Sequence, residues 1–474
     1  MVEDGQPGMP QRRWPIRTWT VYGVMIAVAV IVFVLVRGYG ESLVAPAPST
    51  AAVPGAAEGT NAFLRVLVAL TAIIVLGRIL ARLLARLSQP PVIGEVIAGI
   101  LLGPSLLGTH LSGFILPVTV VPYLEVIAQL GVVLYMFLVG LELNPALLRR
   151  HAEALVFTSH ASILVPFLLG MLLALPLYTR LAHSGASFTS FALFMGVAMS
   201  ITAFPVLARI LGDYRMAKTK IGVMALGCAA VNDVTAWCLL ALAAGVANAQ
   251  ASKGLIVVVG AVAFIAFMFL VGRPLLRRVT RRLGEREQSR TLCAVIFVAL
   301  LLSAITAEAI GIHAIFGAFL LGAIIPHDSA VARTLTHQLE DFVIILLLPA
   351  FFALTGMRTR IDLLSEPVLW LLFILILVVA VVGKFGGTFA AARLTGLSGG
   401  GSAMLGTLMN TRGLMELIVL NVGLELGVIS LKLYSLLVLM TVATTLLTSP
   451  LLRWLRGRIM RKGDPDGLFV EAGG

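Results

Sequence analysis

The chain has 474 residues, 59% of them hydrophobic and only 12% charged, against about 45–50% apolar and about 25% charged in soluble domains. That balance excludes a mainly soluble protein and leaves almost nothing for a domain outside a membrane. A net charge of +12 would suit nucleic acid in a soluble chain, but here the basic residues sit at the ends of apolar runs, where they set topology, and no nucleic-acid partner is expected.

Apolar runs and breakers predict an all-α polytopic protein of about fourteen spans. In chain order these fall at roughly 17–37, 61–84, 91–108, 121–142, 153–177, 187–211, 219–247, 254–272, 291–309, 312–326, 341–357, 366–392, 402–424 and 432–453. Residues 1–16 read as a cytoplasmic N-terminus, 17–37 as an extra N-terminal helix or signal anchor, and 38–60, which is rich in Ala and Pro, as an extracytoplasmic linker. Arg12, Arg13 and Arg17 precede the first apolar run as in a signal peptide, but the run is long for one, which favours an uncleaved helix. Residues 61–455 form the main transmembrane domain and 456–474 a short cytoplasmic tail. Placing both termini inside puts Arg78, Arg82, Arg86, Arg149, Arg150, Arg215, Lys218, Lys220, the basic residues of 273–290 and those of 453–462 on the cytoplasmic face, leaving little beyond Arg180, Lys253, Arg358, Arg360 and Lys432 outside. Cys228, Cys238 and Cys293 lie in apolar runs with neither metal nor disulfide spacing.

Charge inside the hydrocarbon region is costly and marks function. Asp233, in "AAVNDVTAW", is flanked by small residues that leave room for water or an ion. Burial disfavours a carboxylate's charged form, so such a group holds a proton or a cation, but not both. Asn232 adds a neutral oxygen suited to a hard monovalent cation. The alternative is a buried Asp–Asn pair that locks helices together. Lys384, in "VVGKFGGTF", lies midway along its span among glycines, and a carboxylate such as Asp233 or Glu95 is its expected partner.

Two further spans carry interruptions: Ser200, Thr202 and Pro205 in one, and Asn410, Thr411, Arg412 and Gly413 in the other. Proline removes a backbone donor and glycine weakens a helix. Two broken spans in different halves of the chain suggest an inverted-repeat transporter. Arg412 and Glu416, at i, i+4, either neutralise each other or leave Arg412 to cap an unwound helix end. Glu95 is either a carboxylate favoured by its helix N-terminus or a gate or relay on the cytoplasmic side. Glu142, Glu308 and His313 read as solvated helix ends.

In this order, "QPPVIGEVIAGILLGPSLLG", "YMFLVGLELNPALLRR", "SITAFPVLARIL", "AAVNDVTAWCLLAL", "GIHAIFGAFLLGAIIP", "LLPAFFALTGM" and "LMNTRGLMELIVLN" resemble the monovalent cation:proton antiporter-2 family over residues 61–455. The flavour is that of the plant cation/H⁺ exchangers and related fungal and bacterial K⁺/H⁺ antiporters. The resemblance implies the NhaA-like antiporter fold: inverted repeats, a six-helix core with two crossed broken helices, and a dimerisation domain, hence a homodimer. It makes Asp233 the ion- and proton-binding carboxylate, Asn232 its companion, Lys384 the basic residue of the tenth core helix and Glu95 a functional glutamate. Thr202 and Pro205 form one crossing, and Thr411 to Gly413 the other.

The chain departs from the family in two ways. Many electrogenic relatives carry Asp-Asp where Asn232-Asp233 stands, so one cation for one proton is expected. The tail after Arg461 is too short for the nucleotide-binding domain of Kef-type systems.

The expectation is therefore a cation (K⁺ or Na⁺)/H⁺ antiporter of a bacterial-type inner membrane, not an enzyme, needing no cofactor. It would exchange its ions at Asp233, with Asn232 and Thr202 as ligands, by alternating access. A sodium-coupled organic anion symporter would need a polar pocket that the core lacks. An intramembrane aspartyl protease would need a second deep Asp. A non-transporting sensor would keep the scaffold without needing Asp233.

Overall fold

The computed structural model describes residues 16–43, 62–86, 89–104, 117, 119–142, 152–216, 219–248, 254–283, 290–311, 314–326, 329–461, 463 and 468–469. The linker expected at 38–60, the tail beyond 461, and the side chains of Glu142 and His313 fall wholly or mostly outside them.

Eighteen α segments build the described chain. They are α1 (Ile16–Gly40), α2 (Ala62–Ala85), α3 (Pro91–Leu102), α4 (Val121–Glu142), α5 (Ala152–Leu181), α6 (Phe188–Ser200), α7 (Phe204–Asp213), α8 (Lys220–Asn248) and α9 (Gly254–Phe267). Then follow α10 (Arg273–Leu283), α11 (Arg290–Ile310), α12 (Ala314–Ile324), α13 (Ala330–Phe342), α14 (Leu348–Arg358), α15 (Pro367–Leu394), α16 (Gly399–Met409), α17 (Leu414–Glu425) and α18 (Leu431–Arg461). Ten helical stretches among the described residues are long and apolar enough to cross a membrane. The short α3 and α12 and the interrupted spans α6–α7 and α16–α17 bring the spans to fourteen. α9–α10 and α13–α14 are each one span, joined through a π turn at Met268–Gly272 and Val343–Leu347. Each π turn stands just before a proline, Pro274 or Pro349, whose missing N–H cannot continue the regular ladder. The chain is thus a multi-pass helical membrane protein. Large apolar side chains such as Val262, Leu270, Leu301, Ile305, Leu371 and Val382 stay exposed, as a lipid-facing surface requires.

Packing sorts the spans into two groups. α5, α6–α7, α8, α15, α16–α17 and α18 pack on one another as a core bundle, with α1 against α5 and α6. α2, α3, α4, α9–α10, α11, α12 and α13–α14 form a scaffold. Glycines set how closely the scaffold helices approach. A Cβ at Gly356 would stand 2.2 Å from the Val96 carbonyl oxygen, and one at Gly322 2.2 Å from that of Phe137. α14 and α12 therefore lie backbone to backbone on α3 and α4.

The two broken spans end for different local reasons. α6 opens at Ser187, whose hydroxyl accepts the Ser190 N–H, and α16 opens at Ser398, which accepts that of Gly401. α6 stops because Pro205 has no N–H for the Ile201 carbonyl, and Ile201 turns extended. α16 stops at Asn410, and Gly413, at φ 158° and ψ −130°, restarts the chain as α17 in a conformation open to glycine. Six spans lie between the two, so they run in opposite directions.

Candidate functional site

The two interruptions meet in the middle of the core bundle. The Ala203 N–H donates to the Thr411 carbonyl at 3.0 Å, and the Thr202 hydroxyl donates to the Met409 carbonyl at 2.8 Å. α18 holds the second break from behind: Thr445 donates to the Arg412 carbonyl at 2.7 Å and accepts the Arg412 N–H at 3.2 Å.

α8 carries Asn232 and Asp233 to this crossing. Both are buried, Asp233 at 2% exposure. Asn232 Nδ2 donates to Thr202 Oγ1 at 3.0 Å and to Ser162 Oγ of α5 at 3.3 Å. Those two bonds use both amide hydrogens and hold the side chain, while Asn232 Oδ1 and Asp233 Oδ1 are buried with no hydrogen-bond partner among the described residues. A buried oxygen without a donor is costly, and two of them on successive residues suit a site whose ligand is a cation or a proton.

Two basic side chains cap the C-terminal end of α6. Arg412 donates to the Ala198 carbonyl at 2.9 Å and to that of Met199 at 2.7 Å, and also to Glu416 at 2.8 Å. The expected choice between neutralising Glu416 and capping a helix end is resolved as both. Lys384, fully buried in α15, donates to the Ser200 carbonyl and forms no ion pair with Asp233 or Glu95 among the described residues. The carboxylate partner expected for it is replaced by a helix end, whose partial negative charge attracts a cation. Asp233, Glu416 and Arg412 lie within electrostatic range of Lys384. Ser200 turns its own hydroxyl back to the Val197 carbonyl at 2.9 Å.

Glu95 stands apart from the crossing. It is buried in α3, within electrostatic range of Arg78 of α2, and lines a cavity of about 260 Å³ between α3, α4, α7 and α13–α14. Glu340, which the sequence does not single out, lines the same cavity, as do Tyr135, Val206 and Phe352. Asp233 does not line it. Ser162 and Thr445 were also missed: single hydroxyls in apolar spans are common and carry no charge to draw notice. Glu308, read as a solvated end, accepts the Ala314 N–H at the start of α12.

The sodium/hydrogen exchanger transmembrane family model matches residues 68–455. The chain belongs to the sodium/hydrogen exchanger family. It is 45% identical over 398 residues to the Na⁺/H⁺ antiporter NhaS4 of Synechocystis sp., which covers 83% of this chain and 97% of that protein. It is 38% identical to cation/H⁺ antiporter 17 of Arabidopsis thaliana over 90% of this chain, and 34% identical to K⁺/H⁺ antiporter 1 of Saccharomyces cerevisiae over 82%. The chain spans 53% and 46% of those two proteins, about half of their length. Among solved structures, the sodium proton antiporter MjNhaP1 from Methanocaldococcus jannaschii superposes with a TM-score of 0.65 at 14% identity, over 86% of this exchanger and all of that chain. At that identity the likeness shows the fold, which is the NhaA-like architecture expected from the motifs.

Proposed function

We propose that this family member is an electroneutral monovalent cation (K⁺ or Na⁺)/proton antiporter in which Asp233 carries either ion. The observation that supports this reading best is the pair of orphaned oxygens, Asn232 Oδ1 and Asp233 Oδ1, buried beside the crossing of two broken spans. Lys384, Arg412, Asp233 and Glu416 share the crossing. One proton or one monovalent cation at Asp233 then leaves the site with the same charge. Carrying one ion in each direction moves no net charge, and the membrane voltage does not drive it. Thr202, turned toward Met409 and bonded by Asn232, positions Asn232. Glu95 and Glu340 place two carboxyl groups on the cavity wall, where an incoming cation meets them.

Relatives are named for Na⁺, for K⁺ and for cations generally, and the reading covers both ions. It places the protein in a bacterial-type inner membrane with both termini in the cytoplasm, as a homodimer surrounded by lipid. The test is a proteoliposome assay in which K⁺ or Na⁺ is added against an imposed pH gradient, with and without voltage. The wild type is expected to collapse the gradient at a rate indifferent to voltage, while Asp233→Asn folds but does not exchange. Full exchange by that variant overturns the assignment.

A further inference from the structure

The core and the scaffold meet along one interface, and its two ends differ. At one end stands the cavity lined by Glu95, Glu340, Val206 and Leu348. The other end is closed by a polar cluster. From Leu348, on the cavity, α14 climbs ten residues to Arg358, about 15 Å along the helix axis. α4 covers about 20 Å between Leu138, on the cavity, and Glu125.

At that far end, Arg358 of the scaffold donates to Asn421 Oδ1 of α17 at 2.8 Å and to Glu125 of α4 at 2.6 Å, with Glu425 of α17 at 3.7 Å. Asn421 Nδ2 returns to Thr355 Oγ1 of α14 at 3.0 Å. The Tyr434 hydroxyl of α18 reaches the Thr355 carbonyl at 3.3 Å. The Arg360 N–H donates to Ser435 Oγ of α18 at 2.8 Å. All but the Arg358–Glu125 bond cross from scaffold to core.

We propose that Arg358, with Glu125, Asn421, Glu425 and Tyr434, is a latch that shuts the face opposite the cavity and opens once in every transport cycle. This rests on the antiporter reading and adds to it the positioning residue that holds the closed side. The cluster is built to open. At its charged rim Arg358 is 25% exposed and Glu425 38%, so water can take over their contacts as the halves part, with Asn421, Thr355 and Tyr434 buried behind them. The Arg412–Glu416 pair, at zero exposure for both side chains, has no such exit and stays shut. A pair that must break thousands of times is better placed at a wet rim than in a dry core, because exposed pairs are worth little more than the thermal scale.

The experiment fixes the latch covalently. In a background carrying Cys228→Ala, Cys238→Ala and Cys293→Ala, the pair Arg360→Cys and Ser435→Cys is oxidised in membranes and purified into proteoliposomes. Exchange is expected to fall to the empty-vesicle level in the cross-linked protein and to return on reduction. A cross-link that forms fully while exchange runs at the wild-type rate overturns the latch.

Independently, Arg358→Gln is measured in vesicles of both orientations. Losing the guanidinium favours the state with the cavity shut. The apparent KM for the cation on the cavity side is therefore expected to rise about threefold to tenfold, with a smaller change in kcat, and Arg358→Lys is expected to recover part of it. An Arg358→Gln protein with a lower melting temperature but unchanged KM on both faces also overturns the latch, and this arm decides if the cysteines do not pair. Wild type and Asp233→Asn are run alongside. A silent wild type defeats the antiporter reading itself, whereas a working wild type and a freely exchanging cross-linked protein defeat the latch alone.

Discussion

Core and scaffold solve the same problem, holding helices together in lipid, with different chemistry. The scaffold relies on glycine: α3 with α14 and α4 with α12 touch backbone to backbone. The core has glycine contacts too, Gly170 on Met195 and Gly387 on Ala161, and adds buried polar side chains that bond across helices, Ser162, Thr202, Asn232, Lys384, Arg412 and Thr445 among them. Glycine contacts carry no charge and ask nothing of the ligand. Polar contacts are costly unless complete, and the core leaves several incomplete: Asn410 Oδ1 and Glu416 Oε2 are unpaired among the described residues, and Asn232 Oδ1 and Asp233 Oδ1 are unpaired on successive residues. The stiff half and the chemically active half are therefore distinct, and substitutions should separate them.

The largest separation is expected at Arg412. Arg412→Ala leaves Glu416 buried without its cation and frees the Ala198 and Met199 carbonyls, at a cost of about 3–5 kcal/mol. Thermal melting in detergent should show it, and Arg412→Ala with Glu416→Ala together should cost less than the two singles added.

Next comes Gly356→Ala in the scaffold. Its methyl group would meet the Val96 carbonyl oxygen at 2.2 Å, so the helices must part, at about 1–3 kcal/mol. The melting temperature should fall while the apparent KM for the cation in the surviving protein stays as in the wild type. A shift in KM here would break the comparison.

Asn232→Ala reverses that pattern. It removes the bonds to Thr202 and Ser162 together with one orphaned oxygen. The stability loss should be about 1 kcal/mol, with an apparent cation affinity lowered about fivefold by the same magnitude.

The smallest effect is expected at the edge of the core. Thr189 donates to Glu41 at 2.7 Å where α1 meets α6. That bond and Arg37 hold the exposed Glu41 carboxylate below the usual carboxylate range. Its docking is therefore complete above the ordinary carboxylate pKa and fades as pH falls through the lowered one. Thr189→Ala should leave melting unchanged within error at neutral pH.

What could be read from the residues, and what could not, divides along similar lines. Asn232, Asp233, Lys384 and the Arg412–Glu416 pair were conspicuous, because charge in an apolar run has few explanations. Pro205 and Gly413 marked the breaks through their backbone chemistry. The partner of Lys384 was not legible: the Ser200 carbonyl belongs to every sequence equally and becomes an acceptor only when α6 stops. Ser162 and Thr445 were hidden by being ordinary. Arg358 was read only as a charge outside the membrane, since nothing in "GMRTRID" tells that α4 and α17 converge on it.

The bonds that run from one interrupted span to the other, Ala203 to Thr411, Thr202 to Met409 and Arg412 to Ala198 and Met199, have a mechanical consequence. They rivet the two spans into a single cartridge, which can be displaced only whole. An ion seated there rides along with its coordination sphere undisturbed, and the hill to be climbed lies in the sliding contact with the surrounding wall. Turnover should accordingly follow the fluidity of the bilayer more closely than the tightness with which the ion is held.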